Sequence, residues 1–335
     1  MVIGNSQAEL ILEEGQKYMY LMGFIGIQMM ISSILSSSYR EIGRVRVILV
    51  ITLIAAGSNA FLNWVLIYGH LGMPRLEVEG AAYATIIAKT VEMLLLIGYT
   101  IKERPEFISF SVFKRIDWAL FGRILKKGSL LIISQMMWVL SESFTAAIYN
   151  GRGNAAVVSG MAASFSIANL FFISFDGITT ATGVLIGKSL GRNELDDARK
   201  EKTWMLSAAI IFGCIMCLVG VVTVLLVPVV FGNLSIDAQN ICRAMLLLMA
   251  LFMPLWTYVN TQLAVCRAGG DTKVGFLVDG GTTAVMIPML LILAFFTNAS
   301  PVMMYFGVKA LDVGKIIVAT HEMKKERWVV NLSNA

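Results

Sequence analysis

The sequence predicts an all-α integral membrane protein with nine transmembrane helices. Three observations carry this reading. Of 335 residues, 57% are apolar and only 15% charged, where soluble domains hold roughly 25% charged residues. The mean hydropathy is +0.75. The apolar residues also fall in blocks of 19 to 31, close to the roughly 20 that a helix needs to cross a bilayer. No block alternates in the manner of a transmembrane barrel strand. A soluble enzyme, a disordered chain and a nucleic-acid binder are therefore excluded.

The nine blocks are 17–38, 46–68, 78–101, 128–150, 156–186, 203–231, 240–266, 274–297 and 302–320. The first runs from Lys17 to the turn before Arg40, and the second is led by Arg44 and Arg46 and stopped by Gly69. Pro74 precedes the third, which ends at Lys102. The fourth follows Lys126 and Lys127. The fifth closes on Gly187 and Lys188, and the sixth lies between Lys202 and Gly232. The seventh ends at Arg267, the eighth starts after Lys273, and the ninth starts after Pro301. Glycine, proline and basic residues at these ends are the expected punctuation of spanning helices.

The basic residues orient the chain. Twenty lysines and arginines lie in the loops of one side and four on the other, with Lys89, Lys309 and Lys315 inside helices. Basic loops face the cytoplasm, so 188–202 and the C-terminal segment are expected to be cytoplasmic, and 69–77 and 232–239 exoplasmic. With nine helices the N-terminus would then lie outside. The opening residues Met1 to Ser6 have no signal-peptide anatomy, and an odd number of further helices upstream would reconcile the two.

An internal repeat leads to the same expectation. At an offset of 227, Arg40 matches Arg267, Gly43 matches Gly270, Val47 matches Val274, Pro74 matches Pro301 and Gly80 matches Gly307. Residues 3–101 thus read as a second copy of 231–320. Three further helices precede the second copy but not the first. The expected organisation is a three-helix remnant of one lobe (1–101), a linker with a short interfacial amphipathic stretch (102–127), a complete six-helix lobe (128–321) and a cytoplasmic tail (322–335). Repeats of this kind build the two lobes of secondary transporters.

Two motifs carry little. Cys214 and Cys217 form a C-x-x-C with no second pair and no nearby histidine, so packing is the better reading than a zinc or redox site. Thr182 to Ser189 looks like a nucleotide phosphate loop, but Thr182 stands at the first glycine position and the stretch closes an apolar helix instead of opening one.

Other motifs carry a family resemblance. Gly187-Lys188-Ser189-Leu190-Gly191-Arg192-Asn193, followed by Ala198-Arg199, resembles the loop after the second helix of a lobe in the multidrug and toxic compound extrusion (MATE) family. Asn63 to Gly69, Gly72-Met73-Pro74 and Gly80 to Thr85 resemble its fifth-to-sixth helix connection. Arg267 to Lys273 is similar to the loop after its tenth helix, and Glu326-Arg327-Trp328 to its C-terminal end. The resemblance covers the last nine of twelve helices. It implies a cation-coupled antiporter, not an enzyme, that exports drugs or organic cations from the cytoplasm by alternating access between two six-helix lobes. The implied setting is the plasma membrane, multi-pass, with the C-terminus cytoplasmic. The coupling ion is sodium or a proton, and no cofactor is called for. Partners are small-molecule substrates and membrane lipid, with neither nucleic acid nor an obligate protein partner. The first family helix, which in many members holds the coupling aspartate, has no counterpart here. Two alternatives are a lipid-linked saccharide flippase of the same superfamily, which would carry a more cationic cavity, and an inactive fragment.

Ionisable residues at membrane depth are costly and mark function. Glu142 lies mid-helix and shares a face with Gln135 and Trp138; Asp176 shares one with Asn169 on the next helix. Asn260 lies on 240–266 and Asp312 on 302–320. Through the resemblance, Glu142, Asp176, Asn260 and Asp312 fall on the helices of the second-lobe cation site, with sodium conceivable at Glu142 and Asp176. Trp138 and Trp256 stand near positions where some members carry acidic residues. Glu142 leads the set because no basic residue lies near it in sequence. Asp176 could instead bond locally to Thr179 or Thr180, and Asp312 could be neutralised by Lys309 or Lys315. Glu92 with Lys89 is a comparable pair. Asp279, close to its helix start, is expected to be solvated or capping.

Overall fold

The computed structural model describes residues 15–105 and 117–330, and every regular element among them is helical. The chain divides into two compact units, Met1–Ile116 and Asp117–Ala335. In the first, α1 (Gly15–Met22) meets α2 (Ile25–Glu41) at a 45° bend, followed by α3 (Val45–Tyr68) and α4 (Glu77–Glu103). The second holds α5 (Trp118–Arg152), α6 (Ala155–Gly191), α7 (Leu195–Val230) and α8 (Ile236–Ala268). It continues with α9 (Thr272–Phe296), then α10 (Pro301–Ala310) and α11 (Asp312–Met323).

Seven of these helices are long and apolar enough to cross a bilayer, or eight when α1 and α2 count as one bent span. The expected ninth span, 302–320, is interrupted. Leu311 and Gly314 donate to carbonyls three residues back, Val308 and Leu311, the tighter bonding of a 3-10 turn, and α10 and α11 result. The outer surfaces suit lipid: Leu225, Val229, Phe295 and Phe296 are among the most exposed side chains of the second unit. In water such faces would aggregate.

Several helices outrun their apolar blocks. α7 starts at Leu195 instead of 203, because Asp196–Arg199 and Asp197–Lys200 pair one turn apart at 2.8 and 2.9 Å and support helix in water. Asp117, Asn154, Ser235 and Ser300 cap α5, α6, α8 and α10 through side-chain oxygens. Both ends of the expected 102–127 linker are helical, within α4 and α5, and 106–116 lie outside the described residues. The phosphate-loop-like stretch 182–189 is uninterrupted helix in α6. The four cysteines are free.

The expected tail is packed in its first part. Trp328 is fully buried, its indole donates to the Met323 carbonyl, and Glu326 accepts from Arg199 at 2.9 Å. Lys325 donates to Glu322. Residues 331–335 lie outside the described residues.

The matched positions of the repeat have matching geometry. After α2, Gly43 has φ +79°, its N–H donates to Arg40 and that of Arg44 to Tyr39. After α8, Gly270 has φ +76°, its N–H donates to Arg267 and that of Asp271 to Cys266. Both are helix stops that need a left-handed residue. Asn193 (φ +63°) makes the same stop after α6. Gly80 lets α4 approach the Leu66 carbonyl of α3, where an added Cβ would sit 2.6 Å from the oxygen. Gly307, its partner in the repeat, lies against Leu293, which is the residue matching Leu66. The same pair of positions therefore meets in both copies, against backbone at Gly80 and against the end of a side chain at Gly307.

Candidate functional site

Within the second unit, α8 is the most buried helix. Met245, Met249, Met253 and Trp256 follow one another along its buried face, and pack with Phe171 and Phe175 of α6 and Tyr305 of α10. On α5 the buried positions are Ser134, Ser141, Thr145 and Tyr149, the spacing of a single helix face. Glu142 stands beside Ser141 at the edge of that face.

The Lys309 ammonium of α10 donates to Glu142 Oε1 at 2.9 Å. It also lies 5.5 Å from the centre of the Tyr305 ring and 5.8 Å from that of Trp256, so one cation is held by a carboxylate and two aromatic faces. The Trp256 indole N–H in turn donates to Asp312 Oδ2 at 2.8 Å. The other oxygen of Asp312 is 3.2 Å from Lys315 Nζ, which also lies 3.8 Å from Asp279. Asp279 completes the chain by accepting from Ser134 Oγ at 3.2 Å. A continuous polar path thus leaves α5 at Glu142 and returns to α5 at Ser134, eight residues or about 12 Å along the helix. It joins five helices. Three carboxylates face two ammonium groups, so the path carries one excess negative charge when all are ionised.

This geometry corrects two expectations. Glu142 has no basic neighbour in sequence, but the fold brings Lys309 onto it from 167 residues away. Asp279 is neither solvated nor a cap. It sits in a π-helical turn, Phe276–Gly280, a distortion that re-aims side chains and recurs at functional sites. Nothing in the hydrophobic period of 274–297 signals that turn. Asp312 takes the partner that sequence proximity offered, Lys315, together with Trp256.

The remaining candidates stay apart from this path. Asn260 uses its amide on the Trp256 carbonyl of its own helix at 2.9 Å. Gln135, Asn169 and Asp176 are exposed, and among the described residues their side chains have no hydrogen-bond or ion-pair partner. No three of His, Cys, Asp and Glu gather as a metal set among the described residues. In the first unit Lys89 pairs with buried Glu92 at 2.8 Å, and Tyr39 donates to Thr100 at 3.0 Å.

The MatE family model matches residues 131–304, more than half of the chain; the match holds Ser134, Glu142, Trp256 and Asp279 of the polar path and ends before Lys309, Asp312 and Lys315. The chain belongs to the MatE family. Among curated proteins it is 26% identical over 291 residues to the probable multidrug resistance protein NorM of Mesorhizobium japonicum, an alignment covering 83% of this chain and 61% of that protein. It is 27% identical over 274 residues to the protein of the same name from Brucella suis, covering 78% and 57%. The chain spans about three fifths of the length of these relatives. A crystal structure of a mutant of the Vibrio cholerae MATE transporter VcmN superposes with a TM-score of 0.73 at 15% identity, covering 98% of this chain and 73% of that one. The outward-facing structure of a multidrug resistance MATE family transporter gives 0.69 at 18% identity, covering 83% and 61%. The chain is thus an all-helical, multi-pass membrane protein with the MatE fold.

Within the MatE chain, two of the motifs that resembled family loops prove to be the left-handed helix stops at Asn193 and Gly270, each joining two long helices by a turn of a few residues. Ser189 and Glu201 clasp the first of them at 2.7 Å.

Proposed function

We propose that this chain belongs to a cation-coupled exporter of drugs or organic cations, working by alternating access at the plasma membrane with its C-terminus in the cytoplasm. In this reading the first unit is a three-helix part of one lobe and the second unit is the other lobe. Family membership and the NorM relatives support the transport class. One observation carries the mechanism: Glu142 and Lys309 pair at 2.9 Å inside the apolar part of the lobe, beside two aromatic rings.

An ion can drive a conformational change only if it binds the two states differently. Glu142 gives that difference a structural form. While ionised it holds α10 to α5 through Lys309. When its carboxylate takes up a proton, the strongest part of that contact goes, and the lysine is left with the rings and the negative field of Asp312. Asp312 itself stays anchored by Trp256 and Lys315. Loading and release of one proton would therefore loosen and restore the α5–α10 contact. The ammonium already occupies the cation seat on Glu142, which favours a proton over sodium as the coupling ion. An organic cation would find the same carboxylate and aromatic surfaces attractive and would compete with Lys309.

The test is ethidium efflux from proteoliposomes under an imposed pH gradient or an imposed sodium gradient. A pH gradient should drive efflux and a sodium gradient should not. Glu142→Gln should abolish the driven component at equal protein per vesicle. Full driven efflux in Glu142→Gln, or efflux driven by sodium alone, would overturn the assignment.

A further inference from the structure

The second unit carries a basic cavity that the transport mechanism does not use. α5 begins at Trp118, ten residues before its membrane-spanning part, Gly128–Tyr149. Along this extension Trp118, Phe121 and Leu125 form an exposed apolar stripe. Arg123, Lys126, Leu130 and Ile133 follow at intervals of three, four and three residues and share a different face. That face is basic at its outer end and apolar where the helix enters the membrane.

Arg123, Lys126 and Leu130 form one wall of a cavity of about 800 Å3. The α8–α9 turn supplies Asp271, the first turn of α9 supplies Lys273, and the segment after α11 supplies Arg327. Four cations thus surround one hollow with a single carboxylate among them. Arg327 has Glu322 at 3.6 Å. Among the described residues Arg123, Lys126 and Lys273 have no ion-pair partner. Like charges held around one space repel unless an anion enters it. The cavity also sits at the end of an apolar span, where lipid phosphates lie, on the side where twenty of the basic residues collect. Basic pockets in that position hold anionic head groups.

We propose that this cavity is a binding site for the phosphate of an anionic phospholipid. Arg123, Lys126 and Lys273 contact the head group, and the acyl chains run past Leu130 and the half-exposed Ile133 into the membrane. The site would tether the start of α5 and the α8–α9 turn to the leaflet surface.

The test uses the whole purified chain in detergent, with short-chain phosphatidylglycerol, short-chain phosphatidylcholine and inorganic phosphate as probes in a direct binding titration. Phosphatidylglycerol should bind at least about tenfold more tightly than phosphatidylcholine, and the preference should shrink in high salt. Each cation removed should weaken it about fivefold, so Arg123→Gln with Lys273→Gln should cost about twenty-fivefold and weaken zwitterionic phosphatidylcholine by less. Lys126→Gln alone, a milder change, should weaken phosphatidylglycerol about fivefold. Equal affinity for the two lipids, or undiminished phosphatidylglycerol binding in the substituted chains, would overturn the proposal. So would inorganic phosphate that binds as tightly as the lipid, since the cavity would then serve a soluble anion.

Discussion

Replacing Lys309 with methionine keeps most of the side chain's volume and removes the charge on which Glu142 depends. At 2.9 Å two opposite charges attract by about 6 kcal/mol at an effective dielectric of about 20. That is a ceiling, because the Glu142 side chain is 33% exposed and because burying the ammonium has its own desolvation cost. Removing one partner of a fully buried pair costs 3–5 kcal/mol, and the exposure of Glu142 brings the expected loss for Lys309→Met to about 2–3 kcal/mol. Glu142→Gln should cost less, about 1–2 kcal/mol, since an amide oxygen still accepts from the ammonium. The double variant leaves no unpaired charge and should lie within about 1 kcal/mol of the native chain. Unfolding free energies from denaturant titration in mixed micelles would give the cycle directly. The coupling between the two positions, the summed single losses less that of the double variant, should be at least about 2 kcal/mol. Strictly additive losses would mean that the two groups do not interact, and the proposed proton-controlled contact between α5 and α10 would fall with them.

Gly80→Ala should destabilise the first unit by about 1–3 kcal/mol, because the new Cβ meets the Leu66 backbone at 2.6 Å. Gly307→Ala should cost less than about 1 kcal/mol, since only the flexible end of Leu293 at 3.2 Å must yield; thermal melting of the two variants checks the order. Gly269→Ala should unseat the segment after α11, because an added Cβ would fall 1.8 Å from the Trp328 carbonyl oxygen, and faster proteolysis beyond Met323 would report it. The same segment should loosen in acid. A hydrogen bond from Lys325, helped by the nearby Arg327, holds the Glu322 carboxyl below the usual range. Its contribution is present above the ordinary carboxylate range and lost as pH falls through the lowered value. Tryptophan fluorescence should therefore change below about pH 4. Asn193→Gly should be neutral or mildly stabilising and Asn193→Ala should cost about 1–2 kcal/mol, since position 193 has φ +63°; melting temperatures decide.

The all-helical membrane class was legible in the sequence because a bilayer imposes a length and an apolarity on each span, and both are local properties. The repeat was legible for a related reason. A left-handed stop after α2 and α8 favours glycine, and a close approach of α4 to α3 needs Gly80, so backbone geometry leaves residues that survive the noise of matching leucines and valines. Helix ends were less legible, since apolarity marks where the bilayer stops and the pairs Asp196–Arg199 and Asp197–Lys200 carry α7 beyond it. At the candidate site the sequence marked Glu142 and Asp312 by their depth, and Lys315 by its place one turn from Asp312. It could not indicate that Lys309 reaches Glu142, that Trp256 bonds Asp312, or that a π-helical turn swings Asp279 toward Ser134 and Lys315. Those pairings join residues far apart in the chain, and only the packing of five helices decides which buried charge meets which partner.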